Sequence, residues 1–189
     1  MKATIVLIAE TEAENYGRKL MLEAHRLGNT GFEMARLPQH VSLKQPFVIS
    51  SLEKMEQFFD EFAKTLTPVD VEFVGIDLFP SNVLNGVESG CISLRVKDTR
   101  QLVDAQKCLN ENLYRQFGPC PAEHDNDYIF HMTVAIGGAD FELYKKAYNG
   151  LKQSFTRHTF RFDKLGLFYY DDDNIAPGTY FCYKVCEMG

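Results

Sequence analysis

The sequence predicts an α+β fold, because helical and strand periodicities alternate along it without the regular strand-helix repeat that builds a parallel sheet. Two of the strand patterns each carry a His-x-Ser/Thr triplet, at His40 and His131, one in each half of the chain. Composition agrees with a folded globule: 189 residues, 45% apolar and 13% aromatic, with fifteen Phe and nine Tyr, suit one domain over 1–189 with a sizeable core.

Residues 3–9 form an apolar run too short to span a bilayer and without the small-residue cleavage pattern of a signal peptide, so they read as a first strand. A helix follows from Thr11, with Tyr16, Leu20, Met21, Ala24 and Leu27 near helical spacing and Gly28 and Gly31 closing it. Residues 36–49 carry Pro38 and Pro46 and cannot be helical; between the prolines lies the alternating run His40-Val41-Ser42-Leu43. Ser51 caps a second helix through Met55, Phe58, Phe59 and Phe62, which stops before Pro68. Residues 69–79 and 91–97 read as strands joined by a turn-rich loop over 80–86. A third helix spans 98–117, capped by Asp98 or Thr99 and ended by Gly118 and Pro119.

After the polar stretch 123–127, alternation and β-branched residues predict a strand over 128–136, ended by Gly137 and Gly138. A fourth helix covers 140–153, extended structure fills 156–170, and a last strand over 179–185 follows the acidic turn 171–174. No short repeat or low-complexity segment is present.

The formal charge of −6 disfavours long duplex nucleic acid, whose affinity comes from neutralising phosphates with Lys and Arg. A small phosphorylated ligand in a local pocket remains compatible. Five cysteines, odd in number and without a Cys-x-x-Cys pair, suggest neither a disulfide framework nor a zinc site and fit a reducing cytoplasm. Cys182 and Cys186 are expected on one strand face as buried thiols.

In a strand, residues i and i+2 share a face, so His40 projects with Ser42 and His131 with Thr133, while Val41, Leu43, Met132 and Val134 turn to the core. Two such strands facing one another would set two imidazoles and two hydroxyls around a small anion. Histidine suits acid-base work near neutrality, one ring accepting a proton while the other donates one, and the hydroxyls can bond the non-bridging phosphate oxygens. No metal or cofactor is required.

Pro38-Gln39-His40-Val41-Ser42-Leu43-Lys44-Gln45-Pro46-Phe47 and His131-Met132-Thr133-Val134 resemble the paired HxTx motifs of the two-histidine (2H) phosphoesterases, a family of 2′-5′ RNA ligase-like proteins and cyclic phosphodiesterases. Motif order, the 91-residue separation and the strand pair between the motifs extend the resemblance. It implies a bilobal fold of two pseudo-symmetric halves flanking a cleft. It further implies chemistry on cyclic phosphates or 2′-5′ linkages of a small nucleotide or RNA end, with His131 activating water and His40 protonating the leaving oxygen, roles that exchange with reaction direction. Ser42 stands where the family more often has Thr, and the hydroxyl is kept.

Each sharp reading has a plainer rival. Lys44 is a cation beside the phosphate or a solvated end-of-strand lysine, and Phe47, Phe79, Phe168, Tyr169 and Tyr170 include base-stacking candidates among residues that are mostly core. Lys44, Phe47 and Tyr170 are the possible substrate contacts. A metal reading of His124, Asp125, Asp127 and His131 competes with a solvated turn, residues 171–174 lack the glycine and glutamate of a calcium loop, and Gly137-Gly138 is a strand-to-helix turn rather than a phosphate loop. The same cleft could serve a non-catalytic nucleotide or RNA-end binding module. A monomer without a membrane partner is expected.

Overall fold

The computed structural model describes residues 1–82, 88–171 and 178–189; positions 83–86 of the expected loop and 172–174 of the expected acidic turn fall outside them. Among the described residues, eight strands and four helices follow in order: β1 Lys2–Ile8, α1 Thr11–Gly28, β2 His40–Val48, α2 Leu52–Ala63, β3 Val69–Ser81, β4 Ser89–Val96, α3 Arg100–Phe117, β5 His131–Asp140, α4 Phe141–Ser154, β6 His158–Phe162, β7 Lys164–Tyr170 and β8 Tyr180–Glu187, with a 3-10 turn Glu33–Arg36 before β2. All strand pairs are antiparallel, in two four-stranded sheets ordered β2-β1-β7-β8 and β5-β4-β3-β6. No helix among the described residues is long and apolar enough to cross a membrane.

The two sheets repeat one plan. Strand, helix and antiparallel edge strand recur as β1-α1-β2 and β4-α3-β5, and a histidine begins each edge strand. The helices cross over: α1 packs on α4 and β5 of the second sheet, and α3 packs on β2 of the first. One buried cluster therefore runs from Ile5, Leu7, Val41 and Leu43 through Phe58 and Phe59 to Leu94, Met132 and Val134.

Local chemistry sets the boundaries. The side chains of Ser51, Thr99 and Asp140 accept from the amides of Lys54, Leu102 and Leu143 at the starts of α2, α3 and α4, satisfying donors a helix start leaves open. Asn29 closes α1 in the left-handed conformation, φ 51. Strand β2 runs on through Pro46 to Val48, beyond the predicted run, because an edge strand tolerates a residue without an amide hydrogen. Strand β5 begins at His131 rather than 128 and continues through Gly137 and Gly138, both at positive φ, instead of ending there. A Cβ at Gly138 would stand 2.6 Å from the Thr30 carbonyl oxygen, so a close approach as well as backbone conformation demands glycine.

Two expectations are corrected. The extended stretch 156–170 is two strands in different sheets: β6 pairs with β3, and after Asp163 the chain returns as β7 to pair with β1. Cys182 and Cys186 do not share a face. A bulge sets Leu167 opposite Lys184 but Phe168 opposite Cys182, which inserts Tyr183 and reverses the alternation. Cys182 consequently packs on the Phe168 side, whereas Cys186 meets the main core and bonds Asp60 of α2; both are half-buried.

The α1-α4 contact is close because Gly28 has no side chain: a Cβ there would collide with the Leu143 carbonyl oxygen and stand 3.0 Å from the Ala147 Cβ. Gly28→Ala is expected to lose about 2 kcal/mol through overpacking, read as a lower midpoint in urea.

Candidate active site

The edge strands β2 and β5 approach one another, bringing the first residue of each, His40 and His131, within electrostatic reach. Each imidazole is held alike. Nδ1 of His40 lies 2.9 Å from the carbonyl oxygen of Pro38, and Nδ1 of His131 lies 2.9 Å from that of Ile129. A carbonyl only accepts, so both Nδ1 atoms carry hydrogen, which leaves Nε2 of each ring as the atom that can take or give a proton. The residue before each histidine is pinned to its neighbouring chain too, Gln39 O accepting from Ala9 N at 2.9 Å and Phe130 O from Val96 N at 3.0 Å.

Register identifies the surfaces around them. Ile8 is opposite His40 and Val6 opposite Ser42, so these four share a face of the first sheet. On it lies a cluster of Val6, Ile8, Leu37, Phe168, Tyr170 and Tyr180, joined by Ile136 from the other sheet. Phe168 meets the His40 ring edge to face at 4.6 Å. On the second sheet, Arg95 is opposite His131, and Ser93 lies between Thr133 and Asp77. Arg95 clamps Asp77 through Nε at 2.7 Å and through a second bond from Nη2 to Oδ1. The His40 wall is thus apolar and aromatic; the His131 wall is polar.

The apolar wall acts on the His40 ring. Burial pulls the His40 pKa down from 6.5 to about 4; the Pro38 carbonyl opposes the shift and the neighbouring His131 adds to it. Cys91, 3.4 Å from Ser93 Oγ and 3.9 Å from Thr133 Oγ1, has its thiol pushed up by burial and remains uncharged.

Of the other residues named as possible contacts, Tyr170 belongs to the cluster around Phe168 and is 7% exposed. Phe47 is a core residue of the main cluster. Lys44 is neither solvated nor offered to a ligand: its side chain is 2% exposed, and Nζ is 2.6 Å from Asp125 Oδ2. Asp125 Oδ2 also accepts from the Ala122 amide at 3.0 Å, while His124 turns outward to Asp127. The carboxylates and imidazoles of this stretch therefore do not converge, and among the described residues no three His, Cys, Asp or Glu side chains group to hold a metal ion.

Sequence reasoning missed Tyr128 and the Arg95-Asp77 pair. The Tyr128 hydroxyl accepts from Gln45 Nε2 at 3.4 Å, joining the approach to the second motif to the strand of the first. No local spacing announces a contact between residues 45 and 128. Arg95 could have been found by asking which residues of β4 face the same way as His131, but that needs the strand register.

Structural comparison returns proteins of the same shape at low identity. A Thermus thermophilus protein, TT0787, superposes with a TM-score of 0.62 at 11% identity over 100% of this chain and 98% of its own. Escherichia coli LigT in complex with 3′-AMP gives 0.59 at 11% over 99% and 97%, and Kluyveromyces marxianus Usb1 gives 0.52 at 10% over 88% and 92%. No curated protein sequence matches the chain. The model of the 2′-5′ RNA ligase superfamily matches residues 18–174, a span that includes both histidine triplets and every strand between them. The chain belongs to the 2′-5′ RNA ligase superfamily, the two-histidine phosphoesterases.

Proposed function

We propose that the protein is a metal-independent phosphoesterase that opens a cyclic phosphate or a 2′-5′ phosphodiester on a small nucleotide or RNA end. The observation that carries this reading is the matched pair of imidazoles on facing edge strands, each with Nδ1 tied to a carbonyl and Nε2 free to exchange a proton. One ring takes a proton from water as its oxygen bonds phosphorus; the other gives a proton to the ribose oxygen as its bond to phosphorus breaks. Ser42 and Thr133 hold the non-bridging oxygens, and the aromatic wall around Phe168 and Tyr170 offers an apolar bed for a base. Related folds that hold 3′-AMP, NADP⁺ or ATP, as LigT does, support a nucleotide-sized ligand.

The two rings start the cycle differently. Burial keeps His40 neutral at physiological pH, which suits it to accept the first proton, with His131 supplying the second. This assignment reverses the one the resemblance implies for hydrolysis. The acid limb of kcat/KM, which reports the free enzyme's base, is then expected near pH 4 rather than near 6.5. Folding follows the same ionisation: a lowered imidazole pKa means the unfolded chain binds more protons between about 4 and 6.5, so stability falls as pH drops through that window.

Turnover of 2′,3′-cyclic nucleotides and 2′-5′-linked dinucleotides by the wild-type chain in EDTA tests the reading. Tight binding with no product in a single-turnover experiment would instead describe a nucleotide-binding module.

A further inference from the structure

Because the two halves repeat one plan, equivalent positions can be compared across them. Opposite His40 on the neighbouring strand stands Ile8, and opposite Ser42 stands Val6; opposite His131 stands Arg95, and opposite Thr133 stands Ser93. One strand further in, Val6 meets Gly166 of β7, whereas Ser93 meets Asp77 of β3. Where the first half has Ile8 and Gly166, the second has an arginine and an aspartate. The fold itself needs no charge at these positions, since its first half does without one.

Residues opposite one another on antiparallel strands share a face, so the Arg95 side chain leaves β4 on the face that carries His131 and Thr133. Nε donates to Asp77 Oδ2 at 2.7 Å and Nη2 donates to Oδ1, a clamp that takes two of the guanidinium's N–H donors and leaves the others for a ligand. The Arg95 side chain is 57% exposed and that of Asp77 only 13%, so the carboxylate grips the fork from its sheltered side and the outer edge meets solvent. An ion pair this open adds little to stability, which leaves its place beside the histidine to be explained. Lys44, the cation nearest Ser42 along β2, is already committed to Asp125.

We propose that Arg95 forms a second anion subsite on the His131 wall: while the histidines act on one phosphate, the guanidinium takes the next phosphate of the same ligand, one ribose away. The inference rests on the phosphoesterase reading. Neighbouring strands lie about 4.8 Å apart, and Arg95 extends from the first strand beside His131 towards the second, so its remaining donors stand on the order of 5–10 Å from the imidazole. That is the scale of the ribose separating successive phosphates in RNA. A planar, permanently charged fork pre-set by a carboxylate suits two oxygens of one phosphate. The ligand then has one orientation, its base towards Phe168 on the apolar wall and its further phosphate towards Arg95 on the polar one.

The test compares kcat/KM for three substrates: a nucleoside 2′,3′-cyclic phosphate, the same compound bearing a 5′-phosphate, and a dinucleotide that ends in the cyclic phosphate. The wild-type protein is expected to prefer a substrate with the second phosphate by about tenfold, the worth of a charge-assisted bond at a solvent-exposed site, and added salt should shrink the preference. In Arg95→Met the preference should fall to within about twofold, and Arg95→Lys, which keeps the charge and loses the fork, should retain part of it. A preference shared by the dinucleotide supports the subsite with an RNA end as its ligand; one confined to the 5′-phosphorylated compound supports it with a nucleotide bisphosphate. No preference in the wild type, or one that Arg95→Met keeps while all the rates fall together, would overturn the proposal and leave Arg95-Asp77 a pair that only braces the sheet. If the wild-type protein turned over none of the three, the phosphoesterase reading would fail. Calorimetry with adenosine 3′-phosphate and adenosine 3′,5′-bisphosphate would still decide the subsite, an Arg95-dependent gain for the bisphosphate supporting it and equal affinities overturning it.

Discussion

His40→Ala and His131→Ala are each expected to lower turnover of a 2′,3′-cyclic nucleotide by about 10³-fold, the scale on which positioned proton transfer acts. The two losses should not multiply. Once one imidazole is gone the reaction no longer proceeds by concerted proton exchange, so the double variant should resemble either single one. Both variants should remain folded, since the anchor of each ring is a backbone carbonyl that water can satisfy. Exhaustive EDTA treatment of the wild-type protein is expected to leave the rate unchanged. Near-normal turnover by either alanine variant would remove the paired-histidine mechanism, and loss of wild-type activity to the chelator would return attention to a metal.

Asp125→Ala is expected to destabilise the protein by about 3 kcal/mol in urea denaturation, because it strands the ammonium of Lys44, at 2% exposure, without a counter-charge. Lys44→Met should cost less: the orphaned carboxylate is 24% exposed, keeps the Ala122 amide as a donor, and can draw on solvent. The order of the two effects is the informative part. A surface pair would give small and equal losses, whereas this pair should give unequal ones with the aspartate variant the weaker protein.

Much of the fold can be read along the chain because it is written in local periodicity. Alternation around His40-Val41-Ser42 and His131-Met132-Thr133 places the polar pairs on one face and the core residues on the other, and the burial of Val41, Leu43, Met132 and Val134 follows it. Capping residues mark the helix starts for the same local reason. Alternation fails where a bulge interrupts it, as at Tyr183, because one inserted residue reverses every side chain beyond it. It also cannot report partners distant in sequence. The ion pair that removes Lys44 from the ligand spans 81 residues, and the one that steadies Arg95 joins two strands whose register no single segment determines. The floor of the site is visible in the sequence as a surplus of aromatic residues near its end; which of them reach the cleft depends on β7 lying beside β1, a pairing between opposite ends of the chain.

That pairing has a consequence for how the protein is made. On the ribosome, β1 emerges long before its neighbour on one side, β7, with Lys2 opposite Tyr170. The helix that follows β1 finds its seat on β5 and α4, also synthesised later. While the residues up to β7 are being made, β1 therefore keeps an unpaired apolar strand edge and α1 an unburied face, and the β1 edge can close only after β7 has been released. A nascent chain stalled before β7 should be a client for chaperones, and the β1–β7 contacts should be among the last to form.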